Sequence, residues 1–107
     1  MAATKNKQMI RTEIDDYIDL LRRQNIRVLK AYLFGSYVRG GADRWSDIDL
    51  AIVTDSFIGD SIDFKFLLTR LARRIDSDIE PHPYLLSEFD ENHPMAQEII
   101  RHGEQVI

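Results

Sequence analysis

Ile10, Ile14, Tyr17, Ile18 and Leu21 recur at helical spacing, with Asp15, Asp16, Asp19 and Arg22 between them. One side of such a segment is apolar and the other charged, which predicts an amphipathic helix over 5–24. The run 27–34 changes character. It is rich in Val, Leu, Tyr and Phe and stops at Gly35, so it reads as a buried strand. Residues 47–54, DIDLAIVT, form a second strand whose period of two puts Asp47, Asp49, Ala51 and Val53 on one face. Ile48, Leu50 and Ile52 take the other. Phe64, Leu67, Leu68, Leu71 and Ile75 return to helical spacing, with Asp60 or Ser61 placed to cap the start. Arg70, Arg73 and Arg74 fall mainly on the opposite side of that helix. A short third strand is expected over 77–83, ended by Pro81 and Pro83. A last helix is expected to begin near Pro94, a residue suited to a first turn, and to end before Gly103.

The order helix, strand, strand, helix, strand, helix predicts a small α/β or α+β domain with helices packed on one face of a sheet. Tyr17, Tyr32, Phe64 and Phe66 are assigned to its core. The chain of 107 residues suffices for one hydrophobic core and not two, and it carries no repeat, linker or low-complexity tract. Residues 1–107 are therefore read as a single domain.

Composition narrows the chemistry. Without cysteine, a disulfide framework, a thiolate zinc site and a cysteine nucleophile are all excluded. No apolar run approaches the ~20 residues that span a bilayer, and 1–11 are polar without the apolar centre of a secretory signal. A cytoplasmic protein with no membrane association is expected. The formal net charge is -4 and the basic residues are dispersed, which argues against a grip on long nucleic acid. A single nucleotide needs only metal ions and a few amides to neutralise it.

The stretch 34–53, FGSYVRGGADRWSDIDLAIV, concentrates the candidate chemistry. Asp47 and Asp49 stand two apart in a strand, on one face, where their charges repel and burial calls for a cation. Magnesium takes oxygen ligands and keeps water and substrate phosphates in its shell, which suits one or two carboxylates and a nucleotide. Gly35 and Ser36, directly after a strand, provide a turn whose amides and hydroxyl can face phosphate oxygens. Those are the parts for phosphoryl or nucleotidyl transfer assisted by two metals.

Gly35-Ser36, ten residues, then Asp47-x-Asp49 resembles the signature of the polymerase-β-like nucleotidyltransferase superfamily. The wider match, GSYVRG followed by SDIDL, is similar to its minimal nucleotidyltransferase branch of stand-alone domains. The resemblance implies a palm-like mixed sheet, magnesium held by Asp47 and Asp49, and a third carboxylate on a neighbouring strand that helps activate the acceptor hydroxyl. That third acid is expected in Asp78-Ile79-Glu80. Strand periodicity does not choose between the two; Glu80 is favoured, as a third ligand of the shared metal as well as a catalytic group, and would depart from the superfamily's usual aspartate. The resemblance further implies AMP transfer from ATP to a tyrosine of a small helical HEPN-type toxin, with this chain as the antitoxin. Transfer to a small molecule such as an aminoglycoside, and a purely binding antitoxin, are the alternatives. Homo-oligomerisation is left open.

Other residues have plainer readings. Arg39 is either a surface arginine or a phosphate contact. Trp45, in a loop with Asp43 and Arg44, is read as covering the edge of the core rather than stacking on a base. His82, between two prolines, is read as structural or exposed. The Arg70, Arg73, Arg74 group is read as a solvated helix face.

Overall fold

The computed structural model describes residues 6–42 and 46–107. The expectations for Asp43, Arg44 and Trp45 lie outside the described residues. The first helix, α1 (Lys7–Arg23), starts where the Asn6 side chain accepts a hydrogen bond from the Met9 amide at 2.8 Å, which satisfies an otherwise orphan donor. Its apolar stripe, Ile10, Ile14, Tyr17, Ile18, Leu20 and Leu21, is buried, and each such side chain contributes about 1.5–3 kcal/mol on burial. Asn25, at φ 64, turns the chain out of the helix.

Four strands follow: β1 (Lys30–Phe34), β2 (Ile48–Thr54), β3 (Ile79–Leu85) and β4 (Glu104–Gln105). They form one mixed sheet in the order β3-β2-β1-β4. β1 is antiparallel to both β2 and β4, whereas β2 and β3 are parallel. A parallel pair needs a crossover. Helix α3 (Ser61–Ala72) supplies it, capped by Asp60, whose side chain accepts from the Asp63 amide at 2.8 Å. Between β1 and β2 lies the single turn α2 (Ser36–Arg39), and after β3 come a 3-10 turn (Leu86–Glu88) and α4 (Pro94–His102).

The alternation read from 47–54 divides the core as expected. Ile48, Leu50 and Ile52 pack with Ala31, Leu33 and Ile79 beneath α1 and α3. The Tyr17 hydroxyl ties those helices together by donating to the Leu68 carbonyl at 2.8 Å. On the other face Ala51, Val53 and Tyr32 meet Phe89, Ala96 and Ile99. The long helices thus share one face, and α4 covers part of the opposite one, away from the first residues of β2. No helix among the described residues is long and apolar enough to cross a membrane.

Four expectations are corrected. The helices do not all pack on one face of the sheet, because α4 lies against Ala51 and Val53, opposite α1 and α3. β3 does not stop at its prolines but stays in register with β2 as far as Thr54 opposite Leu85. It is an edge strand, and Pro81 and Pro83, two residues apart, turn the same side to the free edge, where no ladder N–H is missed. β1 is shorter than 27–34, although the Leu29 amide still donates to the Val53 carbonyl at 2.8 Å. Phe66 is not in the core: it is 70% exposed while Phe64 is fully buried. Residues two apart on a helix stand about 200° around its axis, so those two aromatics cannot share a buried face.

Candidate active site

β1 delivers the chain to Gly35, which takes φ 79 and opens α2; its carbonyl accepts from the Val38 and Arg39 amides at 3.1 and 3.0 Å. Phe34, one residue earlier, is paired with Asp49 across the antiparallel β1–β2 ladder. The pairing therefore lays the Gly35–Ser36 turn beside the start of β2. The approach is close enough that a β-carbon on Gly35 would run into the Asp49 carboxylate. Glycine is required there twice, by its backbone angle and by space.

Asp47 is exposed one residue before β2, and Asp49 is half-buried within it. On the other side of β2, Glu80 stands directly opposite Asp49 in the parallel ladder. Asp78 lies one residue before the paired segment, as Asp47 does, and its carbonyl accepts from the Ile48 amide at 2.7 Å. Asp49 and Glu80 are thus neighbours level with one another, flanked by the glycine turn. Asp78 sits one pleat back. Arg39 closes α2 and is exposed.

The acids crowd one another. Partial burial, then the carboxylates of Glu80, Asp49 and Asp78, raise the pKa of Asp47 above its ordinary value, and His82 opposes them. Two of the acids already have partners within the chain itself. Asp49 Oδ1 is 3.1 Å from His82 Nε2, and Glu80 Oε1 is 3.5 Å from Lys65 Nζ. The latter pair is roughly two-fifths exposed at both ends, so it is worth no more than about 1 kcal/mol and does not lock Glu80 away.

His82 is the functional candidate that sequence reading set aside. It does not stand alone but contacts Asp49, with its ring centroid 5.1 Å from that of Phe34. A signal was present: two residues after Glu80 in a strand, it had to share that residue's face.

As the side chains stand, no three carboxylates or imidazoles among the described residues converge on one point. The donor chemistry nevertheless fits a divalent cation of the oxygen-loving kind. The donors are carboxylates, partial burial and then their mutual repulsion raise the pKa of Asp47, and two of them plus substrate phosphates suffice for such an ion. Asp47 and Asp49 would hold it, with Glu80 adjacent.

A mixed sheet that sets an acidic pair against a glycine turn defines a nucleotidyltransferase domain. The chain belongs to the polymerase beta nucleotidyltransferase family, whose family model matches residues 15–107. Protein adenylyltransferase MntA of Shewanella oneidensis is 33% identical over 89 residues, covering 83% of this chain and 60% of MntA. The chain thus spans about three-fifths of the length of the curated relative it matches. A toxin–antitoxin crystal structure with AMP-PNP aligns at a TM-score of 0.64 with 28% identity, covering 91% of this chain and 72% of that one. A mutant MntA–HpeT toxin–antitoxin structure aligns at 0.61 with 26% identity, over 87% and 71% of the two chains. A putative nucleotidyltransferase of Sulfolobus solfataricus, 18% identical with a TM-score of 0.53 over 94% and 86%, shares the fold alone.

Proposed function

We propose that this chain moves AMP from ATP to a hydroxyl with magnesium, and that its acceptor is a tyrosine of a HEPN-type toxin which it neutralises in the cytoplasm. The observation that carries the reading is the strand register: β1 brings Gly35 against Asp49, and β3 brings Glu80 level with it. The protein partner is supported by the relatives, one named a protein adenylyltransferase and others solved as toxin–antitoxin structures.

In this reading the Gly35 and Ser36 amides and the Ser36 hydroxyl hold phosphate oxygens, and Arg39 adds a cation beside them. Asp47 and Asp49 would hold magnesium, which would offset phosphate charge and favour the ionised acceptor. Glu80 accepts the proton of the acceptor hydroxyl. That oxygen forms a bond to the α-phosphorus as the bond to the bridging oxygen breaks, and pyrophosphate leaves.

One observation favours a second reading, an antitoxin that acts by contact alone: Asp49 and Glu80 are already paired with His82 and Lys65. A single assay separates the two. The chain is incubated with α-labelled ATP, magnesium and the purified product of the neighbouring reading frame. Transfer predicts label on that protein, lost when Asp47→Asn and Asp49→Asn are combined. A stable complex that never becomes labelled would select the contact reading.

A further inference from the structure

We infer that His82 is a positioning residue that aims the Asp49 carboxylate at the nucleotide turn; the inference rests on the proposed metal and nucleotide reading of this site. The two oxygens of Asp49 face different neighbours. Oδ1 meets His82 Nε2 at 3.1 Å, and Oδ2 lies over Gly35, in the space a β-carbon would take. A carboxylate on a strand is free to rotate about its last torsion, which is broad. Holding Oδ1 fixes that torsion and leaves Oδ2 directed at the Gly35–Ser36 turn.

His82 is itself held. Its ring packs at 5.1 Å and 58° against Phe34, the residue paired with Asp49 on the other side of β2. Its backbone sits in β3 opposite Ala51, one pleat beyond Glu80, between Pro81 and Pro83. Proline fixes φ, so the strand presenting the imidazole is stiffened on both sides. His82 is 28% and Asp49 26% exposed, so water competes for their contact less than at an open surface. A neutral imidazole with its proton on Nε2 donates to Oδ1 and leaves Oδ2 as the oxygen offered to a cation. Partners of this kind, one shell behind a metal ligand, typically change metal affinity by about 10–100-fold when removed.

Two substitutions separate positioning from packing. His82→Phe keeps a ring beside Phe34 and removes the donor. His82→Gln places an amide nitrogen near the position of Nε2 and keeps the donor. Manganese, a paramagnetic stand-in for magnesium, is titrated by electron paramagnetic resonance in the presence of AMP-PNP, and thermal midpoints are recorded alongside. The expected result is a 10–100-fold weaker manganese affinity for His82→Phe. His82→Gln should stay within about 3-fold of the unsubstituted chain, because a donor that still reaches Asp49 Oδ1 retains most of that factor. Equal affinity in the unsubstituted chain and in His82→Phe overturns the positioning role and leaves the metal reading standing. Equal weakening in both variants assigns His82 to packing and overturns it as well. If the unsubstituted chain binds no manganese with AMP-PNP, the metal reading itself falls, and this inference with it.

Discussion

Glu80 and Asp78 differ by one pleat, about 6.6 Å along a strand, and only the partner strand decides which acid stands beside Asp49. The register gives that position to Glu80. Glu80→Gln keeps the shape and removes the charge, so transfer should fall by about 10²–10⁴-fold with little change in nucleotide affinity. Asp78→Asn should be mild in the same steady-state assay; the reverse pattern would move the base one pleat back. At Gly35 the expectation is harsher. A side chain there meets the Asp49 carboxylate at an unfavourable φ, so Gly35→Val should lose ATP binding in calorimetry while circular dichroism still reports a folded chain. What could be read at this scale followed from periodicity within one segment. Asp47 and Asp49 share a face by alternation alone, whereas which acid lies level with Asp49 depends on the register between two strands. His82 was passed over because its neighbours in sequence are prolines, while its neighbours in space are Asp49 and Phe34.

Among the elements, α1 and α3 were legible because each carries a long apolar stripe and an N-cap residue at its start. β3 was less legible. Its prolines read as a stop, yet on the edge of a sheet they cost no ladder hydrogen bond, and whether a strand lies at an edge is not written in its own residues. α2 and β4, of four and two residues, are too short to show a period at all. Phe66 cannot be a core residue beside Phe64, because a spacing of two turns a helical side chain to the opposite side. The bond between α1 and α3 gives a prediction at this scale. Burial pushes the Tyr17 hydroxyl's pKa far up, so it stays a protonated donor to Leu68 at any ordinary pH. Tyr17→Phe should cost about 1–2 kcal/mol in urea unfolding without altering nucleotide binding, since the hydroxyl lies under the sheet face opposite the site.

For the whole molecule, the crowded acids set stability against function. Asp47's raised pKa means the folded, metal-free chain binds that proton more tightly than the unfolded chain does. The group therefore costs stability at pH values above its folded pKa, and the cost fades as pH falls through the carboxylate range. Because Asp47 is exposed, the effect is small. Asp47→Asn should raise the metal-free thermal midpoint at pH 7 by no more than about 3 °C, with the difference closing towards pH 3. A fall in midpoint at pH 7 would show that the charge is not a burden on the fold. In the proposed function the site serves a cation, and the most direct measurement is calorimetry of ATP binding with magnesium and with excess chelator. Removing magnesium should weaken ATP affinity by at least about 100-fold, since phosphates would then face unneutralised Asp47 and Asp49. Equal affinity in the two conditions would contradict it.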